Sequence, residues 1–109
     1  MTYQSLLVER DGAVATVTLN RPTVRNAFND VLIVELTQWA TQAATDSTLR
    51  CVVLAGAGSH FCAGADLAWM AKAAAFSPAE NVQDADAASA MFAAVDNLPA
   101  AVIGRIHGG

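Results

Sequence analysis

Charge is scarce in this chain. Only 15% of its 109 residues are Asp, Glu, Lys or Arg, and Lys and Arg together number six. The six are scattered and the formal net charge is −4. With no basic cluster to neutralise phosphates, the composition argues against a nucleic-acid partner. No apolar run approaches the ~18 residues a membrane helix needs, and the first residues lack the pattern of a secretion signal. No membrane association is therefore expected. Cysteine is scarce too. Cys51 and Cys62 are too few for a disulfide framework, and a reducing cytoplasm is the default compartment.

Several chemical signatures are also absent. There is no Walker pattern and no Gly-x-Ser-x-Gly elbow. "GAGSHF" superficially resembles a dinucleotide-binding glycine loop, but Phe61 occupies the third glycine position. His60, Cys62 and His107 match no metal-ligand spacing. Asp84 and Asp86 stand two apart on a helix and so point to different faces. Asp96, near a helix end, reads as solvated. None of these carboxylates forms an evident general acid–base pair.

What the chain has in quantity is apolar surface: 54% of its residues are hydrophobic. That is a globular composition. A domain of this length buries only about two-thirds of its unfolded surface. Part of the apolar surface is therefore expected to wait for more protein or for a partner subunit.

The order of elements follows from periodicity. "YQSLLVERDGAVATVTLN" reads as a hairpin with its two-residue turn at Asp11-Gly12. In its second arm Ala13, Ala15, Val17 and Leu19 share one face, and Thr16 and Thr18 the other. Pro22 stops the strand. From about Asn26 the period becomes helical, with Phe28, Leu32, Leu36, Trp39 and Ala43 in one stripe and Asn26 or Asn29 as the cap. "CVVLAG", residues 51–56, is expected to be a strand buried on both faces, with Cys51 a buried thiol. "SPAE", residues 77–80, starts a further helix. Ser77 can cap it, Pro78 suits the first position and Glu80 completes a capping box. Val82, Ala85, Ala88, Phe92 and Val95 form its expected buried stripe, and Pro99 marks its end. "AAVIGRI" is then an apolar strand running into Gly108-Gly109. Strands alternating with helices predict an α/β fold with right-handed crossovers. "VVLAGAGSH" and "AVIGRIHGG" share one design, a buried strand followed by glycine.

"SHFCAGADLAWM", residues 59–70, is the stretch with chemical content. Ala63, Gly64 and Ala65 leave the backbone N–H groups accessible, and a helix starting at Asp66 adds the positive end of its dipole. A developing negative charge could sit there. For Asp66 itself, N-capping is the first expectation and catalysis the second.

"LNRPTVRNAF", "VVLAGAGSHFCAGADLAWM" and "LPAAVIGRIHGG" together resemble, in order and spacing, the enoyl-CoA hydratase/isomerase (crotonase) superfamily, over all 109 residues. "FCAGADLAWM" followed by "SPAEN" looks most like the 3-methylglutaconyl-CoA hydratases of leucine degradation; isohexenylglutaconyl-CoA and short-chain enoyl-CoA hydratases are close competitors. The resemblance implies a crotonase-like spiral of strand–strand–helix repeats, of which residues 1–109 are the N-terminal part of a single domain. It implies an acyl-CoA thioester substrate, no separate cofactor and a homotrimer or hexamer in the intact enzyme. By motif position, the backbone N–H of Ala65 is the first oxyanion-hole donor. Ala63, Asp66 and Leu67 would line the acyl-thioester pocket, and Val24, Arg25 and Ala27 would contact the coenzyme A arm. The second donor and the acid–base glutamates fall beyond Gly109. Residues 1–109 therefore resemble the first half or less of a hydratase, and are expected to lack a complete site and to be inactive alone, whether through truncation, proteolysis or a partial sequence. An enoyl-CoA isomerase, another crotonase-type lyase and a non-catalytic assembly fragment are the alternatives.

Overall fold

The hairpin forms where the alternation places it, one residue later than expected at its turn. β1 (Leu6–Asp11) pairs antiparallel with β2 (Val14–Leu19), Leu6 opposite Leu19 and Asp11 opposite Val14. The two-residue turn is therefore Gly12-Ala13 and not Asp11-Gly12. Gly12 alone takes a positive φ, 58°, as a turn with glycine at its first central position requires. Ala15, Val17 and Leu19 are buried, while Thr16 and Thr18 on the opposite face are half-buried.

The structure is a computed structural model and describes residues 3–62 and 78–107. After the hairpin come α1 (Asp30–Ala43), β3 (Cys51–Gly56), α2 (Pro78–Asp96) and β4 (Ala101–Gly104). One four-stranded sheet runs β1-β2-β3-β4. β2, β3 and β4 are mutually parallel, with Leu19 opposite Gly56 and Leu54 opposite Gly104. This is the expected α/β architecture. The helix expected at Asp66 and the cap expected at Ser77 lie outside the described residues.

α1 begins at Asp30 because Asn29 caps it: the Asn29 side chain accepts from the Leu32 N–H at 3.0 Å. Its buried face is Leu32, Ile33, Leu36, Ala40 and Ala43. That face packs on Ala15, Val17, Leu19 and Val52 of the sheet to form the core. α2 lies against α1. Among its described side chains Met91 is buried, Ala88 and Val95 are partly buried, and Phe92 is exposed. Of the expected stripe, Ala88 and Val95 face the core, Ala85 is exposed, and Met91 takes the place expected for Phe92; Val82's side chain lies outside those described. Spacings of three and four also link 88, 91 and 95, and the packing against α1 selects that set.

β3 keeps its expected bounds but not its expected burial. Val52 and Ala55 are buried, while Cys51 and Val53 are only partly so. The helix layer covers one face. By register the other carries Leu7, Thr16, Val53 and Ile103, of which Leu7 and Ile103 are exposed. Among the described residues, no helix is long and apolar enough to cross a membrane.

Candidate functional site

Three loops leave the sheet at one edge. They follow the carboxyl ends of β2 (residues 20–29), β3 (57–62) and β4 (105–107). In open α/β sheets this edge is where ligands bind, because strands end there and backbone groups become available. Of the six Lys and Arg residues, Arg21, Arg25 and Arg105 belong to these loops. On a chain of net charge −4, that concentrates positive charge at one edge and favours an anionic ligand.

The first loop is tightly wound. Pro22 opens a 3-10 turn over Pro22–Val24, and Arg25 and Asn26 then both adopt left-handed backbone, φ 55° and 57°. Two consecutive non-glycine residues in that region are strained, and such strain persists only where surroundings enforce it. Here the enforcement is visible. The Asn26 N–H donates to the Arg21 carbonyl at 2.9 Å, and the Asn26 Oδ1 accepts from the Arg21 N–H at 2.7 Å. The Arg21 guanidinium donates to the Ala27 carbonyl. The winding leaves Val24 and Arg25 exposed at the surface and puts Ala27 beneath them, 6% exposed.

The second loop folds back on its own strand. Gly56 sits so close to the returning chain that a Cβ would meet Phe61 Cα at 2.7 Å and His60 O at 2.8 Å. A backbone this close needs glycine. Gly58, at φ 79°, faces Pro22; a Cβ there would stand 2.9 Å from the proline Cβ. The two loops therefore touch through a glycine and a proline.

They are also stitched by polar groups. Asn26 is fully buried. Its Nδ2 donates to the carbonyls of Ala57 and His60, each at 2.8 Å. The Cys62 thiol donates back to the Asn26 carbonyl at 3.3 Å. The third loop joins through His107. Its carbonyl accepts from the Phe61 N–H at 2.8 Å, and its Nε2 lies 2.9 Å from the Gly58 carbonyl. A carbonyl only accepts, so that Nε2 carries the proton. Cys62 and His107 thus serve the loop framework, while the Ser59 hydroxyl bonds the His60 Nδ1 at 2.8 Å.

Of the residues the sequence singles out, Val24, Arg25 and Ala27 stand together on the first loop. Ala63, Ala65, Asp66 and Leu67 lie outside the described residues; they follow Cys62 directly in the chain. The role of Asn26 escaped the sequence reading, although a signal existed. Asn26 and Asn29 cannot both cap one helix start, so one of them needed another explanation. An apolar groove of about 760 Å³ runs below the loops, between α2 and the sheet, lined among others by Phe28, Phe61, Leu54, Met91 and Phe92. The Phe28 and Phe92 rings meet edge-to-face, centroids 5.9 Å apart.

A mixed sheet whose three parallel strands send glycine-shaped loops to one carboxyl edge defines an α/β class in which that edge commonly receives ligands. The comparisons resolve the class. Residues 9–109 match the enoyl-CoA hydratase/isomerase family model, and the chain belongs to that family. It is 43% identical over 96 residues to "Probable enoyl-CoA hydratase echA6" of Mycobacterium tuberculosis (strain CDC 1551 / Oshkosh), covering 88% of this chain and 36% of that protein. It is 45% identical over 62 residues to the 1,2-epoxyphenylacetyl-CoA isomerase of Escherichia coli (strain K12), covering 57% of this chain and 24% of that one. The crystal structure of an enoyl-CoA hydratase from Shewanella pealeana superposes with a TM-score of 0.91 at 30% identity, over 95% of this chain and 39% of that one. The chain thus spans well under half the length of the relatives it matches.

Proposed function

We propose that the protein acts on an acyl-CoA thioester as a hydratase, adding water across an α,β double bond, with a branched glutaconyl-type thioester such as 3-methylglutaconyl-CoA as substrate. The observation that carries this reading is the family match over residues 9–109, which takes in all three loops of the carboxyl edge. In this reading the coenzyme A arm lies against Val24, Arg25 and Ala27. Arg25 supports it: its exposed guanidinium has no hydrogen bond or ion pair among the described residues and stands ready for phosphate. The Ala65 N–H is the first oxyanion donor, and Ala63, Asp66 and Leu67 line the thioester pocket. Such a donor lowers the barrier because its dipole is fixed where the thioester oxygen gains charge on becoming an enolate. Coenzyme A enters as part of the substrate, and no further cofactor is required.

Residues 1–109 supply one donor and the coenzyme-facing loop. In this reading a second donor and the glutamates that move protons complete the site, and the active form is a cytoplasmic homotrimer or hexamer. A crotonase-type isomerase is the second reading, favoured by the 45% identity to the E. coli isomerase.

The test is hydration of crotonyl-CoA and 3-methylglutaconyl-CoA by the whole protein, followed as loss of the conjugated thioester absorbance. Ala65→Pro removes the N–H and should abolish turnover, whereas Ala65→Ser keeps it and should be milder. An Ala65→Pro protein that folds and keeps its rate would exclude Ala65 as the donor. Double-bond migration without hydration would favour the isomerase.

A further inference from the structure

We infer that Asn26 is a positioning residue. It fixes the 57–62 segment, which leads into the stretch read above as the oxyanion loop, against the first loop. Three observations carry this. Asn26 is fully buried, and burying a primary amide is costly unless its hydrogen-bonding groups are satisfied. Its carboxamide spends its acceptor on its own loop, at the Arg21 N–H, and both donors on the other, at the Ala57 and His60 carbonyls. Its backbone holds φ 57°, which asparagine tolerates better than any other residue with so complete a donor and acceptor set, and which turns the side chain toward the second loop.

The Asn26 carboxamide thus bridges the two loops with donors on two carbonyls. The Cys62 thiol adds one weak bond in the reverse direction, to the Asn26 carbonyl. Both carbonyls lie within the turn that brings the chain from Gly56 to Cys62. Releasing them loosens the turn, which then keeps its bonds to His107 and that of the Ala57 N–H to the Leu19 carbonyl, while the first loop stays held by the Asn26 N–H and by Arg21. The consequence is selective. In the acyl-CoA reading, coenzyme binding at Val24 and Arg25 survives, while turnover, which draws on the chain following the 57–62 turn, falls. The kinetic half of this inference rests on the acyl-CoA reading above; the coupling between the loops does not.

The experiment uses the whole protein with Asn26→Asp and Asn26→Gly. Asn26→Asp keeps the acceptor for the Arg21 N–H and sets a carboxylate oxygen against two carbonyls. Asn26→Gly satisfies the backbone and removes the bridge. Hydrogen exchange without ligand should show the 57–62 peptide exchanging faster in both variants, by about tenfold or more at the Phe61 amide, with the core of α1 unchanged. With crotonyl-CoA, kcat per folded molecule should fall by about tenfold or more, because small misplacements of catalytic groups have large effects. The Kd of a saturated acyl-CoA should stay within about threefold, with stoichiometry unchanged. A conjugated acyl-CoA bound to wild type should absorb to the red of the free thioester, and that shift should shrink in the variants. Unchanged exchange, or kcat and spectral shift kept at wild-type values, overturns the inference. So does unfolding of both variants at the assay temperature, which would make Asn26 a stability residue only. A wild-type protein that binds no acyl-CoA overturns the acyl-CoA reading instead, and the exchange comparison still decides the coupling.

Discussion

The layer where α1 packs on the inner face of the sheet is closed, and the outer side formed by α2, β4 and the residues just after β4 is open. Val17 and Leu32 are wholly buried in the first, whereas Phe92, Ile103 and Ile106 are 57%, 54% and 72% exposed in the second. Both parts carry apolar residues at regular spacing. The difference is what stands opposite. The α1 face meets three strands, while β4 is an edge strand with only β3 beside it among the described residues. Apolar periodicity therefore marks a face as able to be buried, and a partner layer decides whether it is. The unusually apolar composition has its structural counterpart in this open side.

The largest effect should separate the two parts directly. Leu32→Ala removes a side chain from the closed core and should destabilise by about 2–5 kcal/mol, through lost transfer energy and the cavity left behind. Phe92→Ala, a larger truncation, should destabilise by only about 0.5–1.5 kcal/mol, mainly its edge contact with Phe28. Denaturant titration of both variants measures the gap. Equal losses would mean that Phe92 is covered in solution and would erase the comparison.

A smaller effect lies within the closed part, at its surface. Arg10 reaches from β1 to the turn after α1, donating to Asp46 Oδ2 at 2.8 Å and to the Thr48 hydroxyl at 2.9 Å. Hydrogen bonds from Thr48, then from Arg10, lower the Asp46 carboxyl from 3.8 to about 2. Its stabilising contribution is present above the unfolded-state value and disappears as pH falls from about 3.8 toward 2. Asp46→Asn should flatten stability against pH in that window alone. The site is exposed, so the slope should be slight and should weaken further in salt. A variant with the wild-type slope would show that other carboxylates set it.

Much of this was legible in the sequence, and the misses have physical causes. β3 was bounded at Cys51 and Gly56 because the apolar run starts after Arg50 and ends in the glycine-rich Gly56-Ala57-Gly58. The turn at Gly12-Ala13 was placed one residue early because Asp-Gly is a strong turn pair, while pairing register decides which two residues stay unpaired. On α2, Met91 and Phe92 are adjacent and both apolar, so periodicity accepts either, and only α1 chooses. Cys51 sits on the face without a helix layer, which no local pattern reveals. At the site, Val24, Arg25 and Ala27 were found through family resemblance and not through their own chemistry. Asn26 was read as a possible cap, because its partners at 57 and 60 are remote in sequence and come near only when β2 and β3 pair.

The claim that ties these parts together is that the carboxyl edge of the parallel strands receives the coenzyme A thioester. A crystal structure of the whole protein with a saturated acyl-CoA tests it most directly. The account predicts the coenzyme arm along residues 24–27, a phosphate within reach of the Arg25 guanidinium, and the thioester oxygen at hydrogen-bond distance from the Ala65 N–H. An acyl-CoA seated instead in the groove between α2 and the sheet, with the first loop untouched, would contradict it.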